Sequence, residues 1–251
     1  NIYRITAIQE YGGQEHKDGN TGFLQGPRFT QNVPGIESFV RVQDGDEDVK
    51  TGSEIESQHL LYVDSSFFSV FTFPLISGNP KTCLTEPHSI VLTEDAAVKQ
   101  FGNKDVIGKT VLIKEDSTFI PYKVTAVAKN CPQNSSIQFS TLLPFKESEK
   151  DAMDNDNWFN TFLNTFVVLA PKSNLQTVEN EMQKFYLKDA SSTFKKLVEQ
   201  YGNGTDEKMG SYTLQPFINM HLSTELPAQN GLTNASNPMY SYILSGIAVF
   251  V

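Results

Sequence analysis

Two short acidic runs are the first places where this sequence could do chemistry. Asp44, Asp46 and Asp48 alternate with Gly45 and Glu47, and Asp151, Asp154 and Asp156 crowd a second stretch. Carboxylates at that density could hold calcium. The calcium loop, however, needs a glycine at its sixth position and a glutamate at its twelfth, and neither is present. Both runs therefore read as solvated turns, the first as the turn of a hairpin. Cys83 and His88 flank Pro87, but a thiol becomes a nucleophile only beside a base, and nothing in the sequence fixes these two in contact. Gly108-Lys109-Thr110 copies the end of a phosphate-binding loop, yet the glycine required five residues earlier is Asn103, so a turn leading into a strand accounts for it. His16, His59, His88 and His221 are scattered without zinc spacing, and no GxSxG or HExxH occurs. No catalytic, cofactor-binding or metal-ligating residue is expected, and the chain reads as something other than an enzyme.

The elements that would position any site follow from composition and pattern. The sequence has 251 residues, 39% hydrophobic and 11% aromatic, enough for a substantial core. Its net charge is −9. Such a chain repels phosphate backbones and anionic headgroups, so a nucleic-acid partner is not expected. Residues 9–22 are polar and glycine-rich and read as a loop. A helix is predicted over Phe23 to Asn32, a strand over Ile36 to Gln43, then the acidic turn, then strands through Val49 to Ile55 and Gln58 to Val63. Asp64-Ser65-Ser66 should open a short apolar helix, with the Asp64 carboxylate accepting from its first N–H groups. The aromatic run Phe67, Phe68, Phe71 and Phe73 reads as a core wedge rather than a ligand-facing wall.

Ser89 to Leu92 is a short buried strand. Thr93 caps the helix after it, and Gly102 ends that helix in a left-handed turn. Strands Thr110 to Lys114 and Tyr122 to Ala128 should pair around Glu115-Asp116-Ser117. The chain then returns through Ile137 to Leu143, with a helix at Lys146 to Met153 and a strand at Phe162 to Leu169. Leu175, Val178, Met182, Phe185 and Tyr186 share one helical face. A second helix over Ser192 to Tyr201 and a strand over Ser211 to His221 complete the core. Residues 223–238 read as a linker. The last ten, from Tyr242 to Val251, carry no charge and read as half of a membrane helix or as a terminal core element. Cys83 and Cys131 are either buried free thiols or a disulfide at the neck of an inserted segment.

An ordered set of these residues resembles the MacB-like periplasmic core domain of MacB/FtsX-type ABC transporter permeases. Val33-Pro34-Gly35-Ile36-Glu37 resembles the end of that family's first helix. The run from Leu60 to Gly78, with Asp64 before paired aromatics, resembles the segment before its inserted lobe. Ser89 to Glu94, Phe101-Gly102, Ile107-Gly108-Lys109, Tyr122 to Val127 and the Pro132-to-Phe139 return follow in the family's order. Asn130 stands where Asp is commoner.

The resemblance implies an α+β fold in two lobes. A porter-like βαβ lobe would be built from residues 1–75 and 137–232, and an inserted mixed αβ, Sabre-like lobe from 76–136. Residues 233–251 would be linker and the start of a transmembrane helix. It further implies the periplasmic domain of an inner-membrane protein that transmits ATP-driven conformational change, for export or mechanotransmission. A cytoplasmic ABC ATPase and a second permease copy would be its partners, with a periplasmic adaptor and an outer-membrane channel in the pump form. The competing reading is a solute-sensing or binding ectodomain of another membrane protein.

Overall fold

The structure, a computed structural model, describes residues 1–11, 14–145, 157–201, 209–223 and 225–233. The fold is α+β and dominated by its sheet. Strands β1 (Ile2–Tyr11), β2 (Gln14–Asp18), β3 (Ile36–Thr51), β4 (Glu54–Val63), β5 (Leu75–Gly78), β6 (Ser89–Thr93), β7 (Thr110–Glu115), β8 (Thr118–Ala128), β9 (Thr141–Pro144), β10 (Asn164–Leu169) and β11 (Ser211–Pro216) join in one sheet. Its main path is β11-β1-β10-β3-β4-β9-β6-β8-β5, with β2 on β1 and β7 on β3 and β8. The helices are α1 (Gln25–Asn32), α2 (Phe67–Val70), α3 (Glu94–Phe101), α4 (Leu175–Asp189) and α5 (Ser191–Tyr201), with a 3-10 turn at Phe217–Leu222.

Side-chain alternation along each strand divides the core into layers. On β10, Phe166 faces one layer while Val167 and Leu169 face the other. The second of these is covered by Phe29 of α1 and Val33 just after it, and by α4 through Val178, Met182 and Tyr186. That α4 stripe is the one its spacing predicts. On β6, Val91 joins Phe166 while Ile90 and Leu92 pack with Ala97 of α3 and with Val111, Tyr122 and Val124. The sheet is unbroken between residues 76–136 and the rest, because β9 pairs with β4 on one side and β6 on the other.

The β6–α3 unit forms for the reasons its sequence carries. Every residue of β6 is buried, as a strand covered on both faces requires. Thr93 Oγ1 accepts from the Ala96 N–H, Glu94 and Asp95 sit in the first turn, and Gly102 ends α3 at φ 74°.

Several expectations are corrected. Residues 9–22 are not a loop, because β1 and β2 form a hairpin there with Ala7 opposite Asp18 and Gln9 opposite His16. Its outer strand is exposed on both faces, so its polarity reflects solvent rather than a turn. The acidic run Asp44, Asp46 and Asp48 lies inside the sixteen-residue β3, and the hairpin turns instead at Gly52, φ 62°. The last strand stops at Pro216. Of the segment read as a linker, residues 225–233 are docked on the body of the protein. The helix expected over Lys146 to Met153 and the apolar end from Tyr242 to Val251 lie outside the described residues.

Candidate functional site

The first core layer is where the pieces of the chain meet. Val40 and Val42 of β3, Leu61 and Val63 of β4, and Phe166 of β10 pack there with Cys83, Leu84, Val91, Ala126 and Ala128 from residues 76–136. Ile2 near the beginning, and Phe217, Met220 and Leu232 near the end of the described chain, pack on the same layer. Both ends of the described chain thus share one core layer with the 76–136 segment.

Phe67 sits at the centre of this layer with no exposed surface. Its ring lies 5.2–5.6 Å from those of Phe68, Phe71, Phe73 and Phe139, distances at which edge-on and offset arrangements are favourable. The aromatic run is thus a wedge inside the core, and Phe71 extends it to Phe166 and Phe217.

Asp64 does not cap α2 with its side chain. Its Oδ1 accepts from Arg41 Nη2 at 2.7 Å, and its Oδ2 accepts from Arg41 Nε at 3.0 Å and from the Arg41 backbone N–H at 2.7 Å. Arg41 Nη1 donates to the Phe23 carbonyl, and the guanidinium lies 5.0–5.5 Å from the rings of Phe23, Phe39 and Phe145. This two-pronged, ring-enclosed pair pins β3 to the chain as it leaves β4. Arg41 carried no motif, and only the pairing of β3 with β4 brings it to Asp64.

The remaining candidates separate. On β3, Asp46 Oδ1 lies 3.1 Å from His59 Nδ1 across the strand pair, and Asp48 accepts from Lys114 Nζ at 3.0 Å. Among the described residues no group of three or more acidic, His or Cys side chains could hold a metal ion; Asp151, Asp154 and Asp156 lie outside those residues. His88 packs edge-on against Tyr122, whereas Cys83 lies in the first layer, so the two form no dyad. Gly108, φ 82°, donates its N–H to the Val124 carbonyl and turns the chain into β7, and Lys109 Nζ sits over the Phe101 ring.

Cys83 and Cys131 are both free thiols, which decides between the two possibilities for them. Burial pushes the Cys83 thiol up to about 11 and raises that of Cys131 as well. Only the thiolate attacks an alkylating reagent. At pH 8 the folded protein should therefore react much more slowly than a small thiol, and more slowly at buried Cys83 than at half-buried Cys131. Unfolding without reductant should then release two alkylatable groups by mass spectrometry. Recovery of neither would establish a bridge.

A second polar cluster lies beside the third layer. Tyr62 donates to Glu47 at 2.6 Å and Tyr122 to Glu115 at 2.9 Å. Burial first, then the hydrogen-bonded glutamates, raise both phenols far above their ordinary value, and burial raises Tyr212. The unfolded chain releases these protons from about pH 10 while the folded one retains them. Stability present below pH 10 is thus lost as pH rises above it, by up to about 1.4 kcal/mol per pH unit for each of the buried Tyr122 and Tyr212 and by less for half-buried Tyr62. Urea melts at pH 9 and 11 should show this decline, and Tyr122→Phe should flatten it. A pH-independent midpoint would contradict the buried placement.

An open groove of about 630 Å³ runs where β4 separates from β6, lined by Gln58 and His59 of β4, Asp95 and Lys99 of α3, and Gln138 and Phe139 of the return. Lys99–Glu56 and Gln100–Gln58 bridge it. Among the described residues no helix is long and apolar enough to cross a membrane.

Comparison with known proteins follows the fold. The profile of the MacB-like periplasmic core domain matches residues 1–185. A comparison with curated proteins returned no match. Among solved structures, a domain assigned to a permease protein of Porphyromonas gingivalis is similar, with TM-score 0.69 and 19% identity over 97% of this chain and 95% of that one. The periplasmic region of MacB from Actinobacillus actinomycetemcomitans gives 0.52 and 17%, over 82% of this chain and 94% of that one. The extracellular domain of the noncanonic ABC-type transporter YknZ from Gram-positive bacteria gives 0.55 and 14%, over 86% of this chain and all of that one. At these identities the structures establish likeness of fold.

Proposed function

The chain belongs to the MacB-like periplasmic core domain family, and from that premise we propose that it is the moving extracytoplasmic part of an ABC transporter permease, transmitting ATP-driven change rather than catalysing a reaction. The family is one of transporter permease domains, and membership implies an ABC ATPase partner and dimerisation. The observation that carries the reading is the profile match over residues 1–185, almost three-quarters of the chain. A mechanical role is supported by the first core layer, where Ile2, Met220 and Leu232 share a packed interior with Val91 and Ala126. Packed interiors shift between discrete arrangements rather than deform continuously.

In this reading residues 1–75 and 137–232 are the porter-like body and 76–136 the inserted lobe. The third layer supports the division, since most of its residues come from 76–136, and Val49, Leu60 and Leu143 complete it. Residues 233–251 lead to the membrane. In an export pump the domain would meet a periplasmic adaptor and an outer-membrane channel; in a mechanotransmitting permease it would act on another extracytoplasmic protein.

The groove beside His59 favours the one competing reading, a solute-binding ectodomain. Purification of the parent membrane protein in mild detergent separates the two. Co-purification of a nucleotide-hydrolysing subunit is the expected result. A parent protein that carries no ATPase, while the isolated chain binds a small solute at one-to-one stoichiometry, would overturn the proposal.

A further inference from the structure

Residues 225–233 cross the sheet as a strap held by a series of polar contacts and by Leu232, which packs on the first core layer. At its first end Glu225 pairs with Lys17 at 3.0 Å. In the middle, Gln229 Oε1 accepts from Asn20 Nδ2 at 2.7 Å and its carbonyl from Asn164 Nδ2 at 2.8 Å. At its far end Gly231 O accepts from the Gln138 N–H, the Thr233 N–H donates to Ser136 O, and Leu232 bridges Ile137. One strap thus ties β2 and β10 of the body to residues 135–138, where the chain returns from the 76–136 segment.

The turn that makes the crossing is conformationally specific. Asn230 and Gly231 adopt φ of 54° and 76°, a region open to glycine and tolerated by asparagine. The Asn230 amide sits between Asn20 and Asp44, and a Cβ on Gly231 would stand 2.6 Å from Leu61 Cδ1. Beneath the strap lies Arg4, 2% exposed. It donates to Gly19 O and Asn164 Oδ1 and has no carboxylate within ion-pair distance among the described residues. Its neighbour across the strand pair, Gln215, keeps a buried Oε1 without a partner. The cavity of about 20 Å³ between Arg4, Gln215, Ser136 and Thr233 has room for one water. The strap thus closes over a small gap that holds polar groups, with Leu232 its contact to the first core layer, and segments held chiefly by polar contacts open without the rest of the fold.

We propose that residues 225–233 are a latch that opens as a unit while the sheet stays intact, and that its opening frees residues 135–138, the return from the 76–136 segment, from β2 and β10 of the body. Its purpose rests on the mechanical reading given above; its opening does not. In the closed state, force arriving through the chain after residue 233 meets the Ser135–Gln138 return first.

Amide hydrogen exchange on the chain tests the latch. Gln138 and Thr233, whose N–H groups bond across the strap, should exchange at least 100-fold faster than Val40, Val42 and Phe166 in the sheet. Asn230→Ala should accelerate the first pair about tenfold and leave the sheet unchanged, and the milder Gln229→Ala should do so less. Equal rates in strap and sheet, or equal acceleration of both, would overturn the latch. Coupling is read from a lock: Ile137→Cys with Leu232→Cys in a Cys131→Ser background, placed in the parent permease. Oxidation should stop ATP-driven movement of the 135–138 return while hydrolysis continues, and reduction should restore it. Movement undiminished by the lock would overturn the coupling. If no ATPase accompanies the parent, the functional reading fails instead, and the exchange result stands apart from it.

Discussion

Replacing Asp64 with alanine is expected to destabilise the protein by about 3–5 kcal/mol, the usual cost of removing one partner of a buried ion pair. For a chain of this size that lowers the thermal midpoint by roughly 10 °C. Solvent access sets this cost. The Arg41 and Asp64 side chains are only 12% and 15% exposed, and aromatic rings surround the guanidinium, so water cannot replace the carboxylate. The cost shrinks if both charges are removed. Arg41→Met with Asp64→Leu should recover much of the loss, because the double variant buries no unpaired charge. A double-mutant cycle by thermal or urea melts gives the coupling. If Asp64→Ala melted within 2 °C of the parent, the pair would be a surface contact and the pin between β3 and β4 would be lost as an idea.

The second large effect belongs to Phe67. Truncation to alanine removes a ring with no exposed surface and leaves a void among Phe71, Phe73 and Phe139, at a cost of about 3–5 kcal/mol. Phe68→Ala, on a half-buried neighbour, should cost markedly less. The comparison separates a core wedge from a binding wall. A wedge loses stability when Phe67 is truncated, whereas a wall would keep its melting point and lose only a ligand. An unchanged midpoint for Phe67→Ala would contradict the wedge.

What could be read from the sequence was local. The strand, cap and helix from Ser89 to Gly102 need only neighbours within a few residues, and each part stands where its chemistry demands. The α4 stripe from Val178 to Tyr186 is legible because a helix fixes its own face. What could not be read was pairing over distance. The acids of β3 looked like a turn because a long half-exposed ribbon is as polar as a loop; His59, Tyr62 and Lys114, from other strands, give them partners. Asp64 has the right residue type to cap a helix, and a basic partner 23 residues earlier in the chain outcompetes the helix for it. The strap at 225–233 has the polarity of a linker, yet the Gln229 side-chain oxygen and backbone carbonyl dock it on Asn20 and Asn164. No catalytic or ligand-binding group was expected at the first core layer, and its role in joining the two chain ends to the 76–136 segment depends on burial rather than on a motif. Family likeness was legible as an order of short matches from Val33 to Phe139, and the profile match extends it to residues 1–185.

In the function proposed above, ATP acting on the far side of a membrane moves this domain. Spin labels at Leu187, an exposed position on α4, in both copies of the parent permease reconstituted with its ATPase, test that most directly. The distance between the labels should shift by several ångströms between the nucleotide-free and ATP-bound states and return after hydrolysis. A distance distribution that is the same in both states, in a preparation that hydrolyses ATP, would contradict the account.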